Sequence, residues 1–489
     1  MWTGREELAY RLATLGREQI METVIQGSTL QTLRAGLRGS AHVPGEEGYE
    51  EASRAWNLAA FQKPALVIVA GGAADVMAAV RFAREGGLGV GVMATGHGVG
   101  AACDGGVLIN TSNMRGVRVN PVDRTARVEA GALWTDLIHE SQVHGLAGLL
   151  GSTSYVGIVG YTMGGGFGWL GRKYGFNAAS VREADVVTAD GELVRVSLVE
   201  HPDLFWGLGG GGGNFGIVTS LKFDLYPIGM LYGGNLIYPV EKAPEVLDAY
   251  ARWSADLPDE MTSGVAFLNV PPLPALPEPL RGKSVIALRG CYCGESPGDG
   301  EELVRPMREE LGEPIMDTFG MMPYAAMDSI SMDPVDPMGA RQHSEMLGDL
   351  SPEAIQTLVE VAGAGSGSPL ILLELRQLGG ALARNAAHLS TMGKGDSRYI
   401  WNGVGAAFTP EMAEGVVAHL ARVTDATRPF QTGDTYYVNF MELDDASAER
   451  VKAAYAPEDF ERLVALKDRY DPQNVFRFNR NIAPSRAVR

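Results

Sequence analysis

The stretch Val92–Gly106, VMATGHGVGAACDGG, sets one histidine, His97, among glycines directly after an apolar, strand-like run. Glycines let a main chain approach a bound group closely or take a positive φ. A neutral imidazole is a competent nucleophile near neutral pH. A lone histidine can equally be a satisfied buried ring, so its neighbours must decide. Gly96, Gly98 and Ala101 also fit G-x-G-x-x-A, a form of the dinucleotide fingerprint. That fingerprint needs a helix next, because the pyrophosphate sits on its N-terminus. CDGGVLINTS reads instead as turn and strand. The ribose-binding acid expected about 20 residues on is missing; Arg115, Arg118 and Asn120 stand there. A nicotinamide Rossmann domain is therefore excluded. There is no G-x-S-x-G elbow for a hydrolase and no H-E-x-x-H zinc pattern. The run Gly209–Gly213, followed by Asn-Phe-Gly, reads as a main-chain cradle whose N–H groups can face an anion.

Periodic segments must hold these residues. PALVIVAGG, from Pro64, reads as a short buried strand, and Ala73–Glu85 as a helix with Val76, Val80 and Ala83 on one face. GVGVMAT is a second buried strand and delivers His97. VLINTS and VRVNPVDRTARVEAG alternate as strands, Leu133–His144 is helical, and ADVVTADGELVRVS is a hairpin with Asp190-Gly191 as a primed turn. Residues 1–40 read as helical, with Leu8, Leu12 and Leu15 on one side. Beyond Pro227 the composition shifts. Four strands, SVIALRGCYCG, ILLELRQLGG, YIWNGVGAAF and TYYVNFM, alternate with amphipathic helices and predict one antiparallel sheet backed by helices.

The chain has 489 residues, enough for two or more sizeable cores, and a net charge of −18 with no basic block, which argues against nucleic acid. Of three cysteines, Cys291 and Cys293 read as buried thiols on a strand; a lone C-x-C is a poor metal site. No apolar signal core and no run of about 18 apolar residues is visible, so no membrane span and a cytoplasmic location are expected.

Four segments together carry a resemblance: Thr95-Gly96-His97, GSTSYVGIVGYTMGGGFGWLGRKYG from Gly151, HPDLFWGLGGGGGNFGIVTS from His201, and the ending YDPQNVFRFNRNIAP. In that order and spacing the chain resembles the berberine-bridge-enzyme-like, FAD-linked oxidases of the vanillyl-alcohol oxidase and p-cresol methylhydroxylase superfamily. The resemblance implies an α+β fold: a p-cresol-methylhydroxylase-type FAD-binding domain over residues 1–230, a substrate domain of antiparallel sheet backed by helices over 231–450, and a return to the FAD domain over 451–489. It implies FAD bound covalently through His97, with Ala94, Thr95, Gly96, Gly98 and Val99 around the cofactor. Further cofactor contacts are implied for Ser152, Thr153, Val156, Gly157, Gly160, Tyr161, Gly164, Gly165, Gly216, Ile217, Val218, Asn479 and Asn481. The alternative for either asparagine is simple capping of a turn.

Many relatives carry a second link through a cysteine; Thr153 stands at that position and cannot supply a thiolate, so a single bond is expected. Two further departures are Met93-Ala94-Thr95 for the usual Arg-Ser-Gly, and Tyr161 for a histidine. Relatives take hydride from a C–H bond beside oxygen or nitrogen and pass electrons to oxygen. A base is then wanted on the substrate domain. Tyr437-Val438-Asn439 resembles the family's Tyr-x-Asn segment, and strand alternation would put Tyr437 and Asn439 on one face. Tyr437 is either that base or a packed aromatic. Glu374, Arg376, Arg384 and His388 lie near strand ends without an assigned role. Val156 falls where relatives carry an oxygen gate. The expected partners are a small-molecule substrate and molecular oxygen, with oligomeric state open. The alternatives are a flavin dehydrogenase with another acceptor and a non-redox cyclase or binding protein on the flavin fold.

Overall fold

The computed structural model describes residues 28–385, 397–433, 436–441 and 447–486. The expected helix carrying Leu8, Leu12 and Leu15, and His388, lie outside these residues.

Seventeen strands are described: β1 (Ser40–His42), β2 (Leu66–Val69), β3 (Val90–Met93), β4 (Val107–Asn110), β5 (Val117–Asn120), β6 (Thr125–Glu129), β7 (Val181–Val187), β8 (Leu193–Ser197), β9 (Ile217–Asp224), β10 (Met230–Pro239), β11 (Met261–Asn269), β12 (Ser284–Tyr292), β13 (Met316–Asp317), β14 (Gly320–Pro323), β15 (Ala340–Leu347), β16 (Leu370–Gln377) and β17 (Tyr399–Ala406). They form three sheets. The first, in order β1-β2-β4-β3, has a parallel core of β2, β4 and β3. Helix α1 (Ala73–Glu85) buries Val76, Ala79, Val80 and Ala83 against it. Asp75 in its first turn accepts the N–H groups of Arg38, Gly39 and Gly71, which fixes the approach of the preceding chain. No helix follows β3: the chain turns through residues 94–106 straight into β4, as the rejected fingerprint required.

The second sheet, β5-β6-β9-β7-β8, is wholly antiparallel. The hairpin β7–β8 forms as expected, but its turn is not primed. Gly191 alone takes a positive φ, of 74°, and its N–H bonds the carbonyl of Thr188. Asp190 thus keeps an ordinary backbone and the glycine supplies the left-handed step. Helix α2 (Ile158–Met163) packs beside β9, with Ile158, Val159 and Met163 in the core.

The third sheet runs β13-β10-β12-β11-β16-β17-β15, with β14 beside β10. It is antiparallel and backed by helices α3 (Ala243–Ala255), α4 (Pro297–Leu311), α5 (Pro352–Ala362) and α6 (Pro410–Thr427). Tyr238, Val265, Leu288, Leu375 and Trp401 fill the helix-facing side. The architecture is as expected, but eight strands build it rather than four, and one of the four expected is not a strand. Tyr437 opens a tight 3₁₀ turn, Val438–Phe440. Asn439 therefore reaches Tyr437 through a turn and not by sharing a strand face. The carboxamide and phenol of this segment bond to the glycine-rich segment around residues 161–167, so no sheet ladder forms there.

The third sheet is tied to the rest by buried polar contacts. Asn57 both donates to and accepts from the backbone of Ala340. Buried Arg172 donates to the carbonyls of Leu257, Met261 and Leu378. Helix α7 (Pro457–Tyr470) then leads the tail back, its buried Lys467 bonding Asn214 O, Asp471 and Phe476 O.

Candidate active site

Strand β3 ends at Met93 and hands the chain to Ala94, Thr95, Gly96, His97, Gly98 and Val99. Gly96 has φ +76°, and a Cβ there would lie 2.6 Å from Ala55 Cα, so only glycine fits this turn. His97 stacks on Trp56, with ring centroids 4.3 Å apart and planes 15° apart, and its Nδ1 lies 2.9 Å from Thr95 Oγ1. Burial lowers its pKa to about 4, so the ring is neutral at physiological pH. Its Nε2 is buried and has no hydrogen-bond partner among the described residues.

The tail closes over this loop. Arg480 donates to Gly98 O at 3.4 Å and binds Met441 O through two of its nitrogens. Asn479 Nδ2 reaches Gly213 O in the glycine run and Phe476 O. Asn214 holds the same tail through Arg480 O and the N–H of Ile482. Neither Asn479 Oδ1 nor Asn481 Oδ1, both buried, has a partner among the described residues. The hydrogen bonds of Asn479 make it more than a simple turn cap. Ile217 and Val218 give their side chains to the cores, and Gly216 packs on Val186 and Val187, so only backbone is left there for a ligand.

Helix α2 joins this loop to a second cluster about 9 Å along its axis. At its start, a Cβ on Gly157 would touch Ala94 and Thr95. The segment before it places Ser152 half-buried and Thr153 buried, with Val156 packed on the core and its carbonyl taking the Trp134 N–H. Gly160 is exposed with open space beside it. Near its end, Tyr161 donates to Leu149 O and offers its own carbonyl to Asn439 Nδ2 at 2.8 Å. Gly164 lets Asn439 in: a Cβ there would sit 1.9 Å from Asn439 Oδ1. Gly165 follows at φ +109°.

The Tyr437 oxygen accepts the Phe167 N–H at 2.8 Å and Asn439 Nδ2 at 3.1 Å. Burial pushes its pKa up to about 12, against those hydrogen bonds and Arg376, which pull it down. Arg376 completes the cluster: its guanidinium carbon lies 5.7–5.9 Å from the ring centres of Phe167, Trp169 and Phe440. Fully buried Glu374 binds Arg289 Nη1 at 2.8 Å and Arg376 Nε. Two nearby guanidiniums outweigh its burial and keep it ionised.

Trp56 and Arg480 stand in the site without a signal in the sequence, and Asn214 is marked there only by following the glycine run. Glu374 and Arg376 do carry a signal: two charges at a spacing of two within the apolar run ILLELRQLGG mark one face of a buried strand. Arg384 stands apart, paired with Asp259.

The glycine-built loop, its neutral imidazole and the two amide oxygens without a partner among the described residues offer the kinds of donor and acceptor a flavin needs. Residues 64–197 match the family described as FAD binding domain, and residues 436–483 the one described as berberine and berberine like. The second match contains Tyr437, Asn439 and the closing tail. An FAD-linked oxidoreductase from Dictyostelium discoideum is 27% identical, with 92% of this chain and 95% of that one covered. (R)-6-hydroxynicotine oxidase from Paenarthrobacter nicotinovorans is also 27% identical, over 92% and 97%. In fold, the solved berberine bridge enzyme from Eschscholzia californica superposes with a TM-score of 0.79 at 20% identity, covering 94% of this chain and all of that one.

Proposed function

We propose, from the premise that this chain belongs to the berberine-bridge-enzyme-like FAD-linked oxidoreductases, that it is an oxidase acting on a C–H bond beside oxygen or nitrogen, with oxygen as electron acceptor. FAD supplies the two-electron chemistry when bound. The observation that carries the reading is the neutral, buried His97 with an unpartnered Nε2 in a glycine-built loop. Such a ring can attack an electrophilic carbon, which supports a single covalent link to the cofactor through His97. The surrounding residues Ala94–Val99, Ser152, Thr153, Val156, Gly157, Gly160, Tyr161, Gly164, Gly165, Gly216–Val218, Asn479 and Asn481 would line or brace the cofactor. The division into FAD-binding parts at 1–230 and 451–489 and a substrate domain at 231–450 belongs to the same proposal, as does a cytoplasmic location.

Tyr437 would take the substrate proton. The N–H donors on its oxygen and the nearby Arg376 favour the phenolate, while burial opposes it. Asn439 orients the phenol and closes Tyr161 O. The relative named for 6-hydroxynicotine makes an amine substrate reasonable, with an alcohol or sugar as the other choices. Val156 would set oxygen access, since an extra methylene in a close-packed space can exclude a small molecule.

Two measurements test this reading. Wild-type protein should keep its flavin through acid precipitation, and His97→Ala should release it; complete release from wild type refutes the link. Anaerobically reduced protein mixed with aerated buffer should re-oxidise far faster than free flavin. Val156→Leu should slow that step while leaving reduction by substrate unchanged. Wild-type re-oxidation no faster than free flavin would mean a dehydrogenase.

A further inference from the structure

The sheet face opposite the helices carries a row of buried polar groups. Cross-strand register sets Asn235 opposite Arg289, Arg289 opposite Gly264, Gly264 opposite Arg376, and Glu374 opposite Asn402. Asn235 Oδ1, Arg289 Nε and Asn402 Oδ1 are buried without partners among the described residues. Two guanidiniums share the single carboxylate of Glu374. Half-buried Asp333 attracts Arg376 from farther off and forms no ion pair with it. Arg289 has a second contact, to Ser331 O at 3.4 Å.

Arg376 is different. Its side chain is 10% exposed, and only its Nε is bonded. Its two terminal nitrogens have no hydrogen-bond partner among the described residues, and the aromatic faces of Phe167, Trp169 and Phe440 supply only weak cation–π contacts. A nearly buried guanidinium whose outer fork is unmatched is suited to a planar, two-oxygen acceptor. The guanidinium also lies near enough to the Tyr437 phenol to act on it electrostatically, and both meet the ring of Phe167.

We infer that Arg376 anchors an anionic oxygen of the substrate, a carboxylate or an ionised enol on a flat, unsaturated skeleton that the three rings flank. This rests on the oxidase reading of the site and narrows its substrate to small organic acids. A neutral polyol would leave the outer fork, which Glu374 does not reach, without a charged acceptor.

Benzoate is the probe, with benzamide as its neutral counterpart of the same shape. Binding to the flavin-loaded protein is read by the shift in melting temperature and by perturbation of the flavin absorbance. Benzoate should bind at least about tenfold more tightly than benzamide, since a hydrogen bond to a charged group is worth about ten- to hundredfold. Arg376→Gln should remove the preference. Arg376→Lys keeps the charge and the bond to Glu374 and should weaken benzoate by about tenfold through loss of the fork; it carries the test if Arg376→Gln does not fold. Equal affinity for the two probes, no binding of benzoate by wild type, or unchanged benzoate affinity in either variant overturns the proposal. The last would leave Arg376 as a partner of Tyr437 alone. Flavin retention and re-oxidation in the same preparations report separately on the oxidase reading.

Discussion

The loop around His97 and the cluster around Tyr437 sit at opposite ends of one short helix, α2, yet they are built in opposite ways. The first is main chain: glycines, a strand end and a returning tail surround one imidazole whose neighbours are Trp56 and Thr95. The second is side chain: a phenol, a carboxamide, three aromatic rings and a charged triad drawn from β12, β16, the 3₁₀ turn and the segment after α2 that carries Phe167 and Trp169. A main-chain cradle suits a large cofactor with many acceptors, since each bare N–H is fixed by the fold. A side-chain cluster suits the variable ligand, because changing one residue changes what is recognised without moving the backbone. On the proposed reading, one helix couples a general site to a particular one.

The contrast breaks if Tyr437 is only packing, which Tyr437→Phe decides. The substitution keeps the ring against Phe167 and Phe440 and deletes the oxygen held by Phe167 N–H and Asn439. Flavin content should not change, while the substrate-driven reduction should slow by about 10²–10⁴, the usual worth of a general base. The pH dependence sharpens this. With the phenol pushed up to about 12 by burial, it keeps its proton at neutral pH. The reactive phenolate then grows with pH, so the reduction rate should climb by about tenfold per unit from pH 6 to 9. A loss of under about threefold in Tyr437→Phe, worth less than 1 kcal/mol of barrier, would make the ring structural.

The next effect is on stability and separates the charged triad from the loop. Glu374→Gln keeps the shape but leaves Arg289 and Arg376 buried without a counter-charge. Removing one partner of such a group costs about 3–5 kcal/mol. Urea unfolding should show that loss in the variant, whereas Thr95→Val in the loop should shift the midpoint little. Equal stability of Glu374→Gln and wild type would mean that the triad is already neutralised by groups such as Asp333.

These two regions also differ in how far they could be read from the chain. The His97 loop was legible because its information is local: a strand, then glycines, then a turn in place of a helix. Helix α1 and the β7–β8 hairpin were legible for the same reason, although the hairpin's turn type depended on which of Asp190 and Gly191 took the left-handed step. The Tyr437 cluster was half legible. TYYVNFM has strand composition, but tertiary hydrogen bonds to Tyr161 O and Phe167 N–H hold its described part in a turn instead. Arg289 and Arg376 are 87 positions apart in the chain and meet only through the register of β12, β11 and β16, which no local pattern encodes. Trp56 is similar: nothing in RAWNLAAF announces a ring destined to stack on an imidazole 41 positions later.

The smallest expected effect is a flat line, and it tests the loop by itself. Burial lowers the pKa of His97 from 6.5 to about 4. Above about pH 4 the ring therefore stays neutral in the folded protein, with its nucleophilic lone pair available. A solvated imidazole, titrating near 6.5, would be almost wholly protonated at pH 5. Apoprotein incubated with FAD, sampled over time and precipitated with acid, should accumulate acid-stable flavin at rates that agree within about twofold between pH 5.5 and 8. Stability carries the opposite signature. Below pH 6.5 the unfolded chain takes up a proton at this histidine that the folded chain refuses until about pH 4, so His97 makes the fold progressively less stable over that interval. His97→Ala removes this term and should flatten the acid side of the stability profile. A rate of flavin attachment that falls by about tenfold per unit below pH 6.5 would show a solvated ring, and with it a loop that does not hold His97 neutral against Trp56.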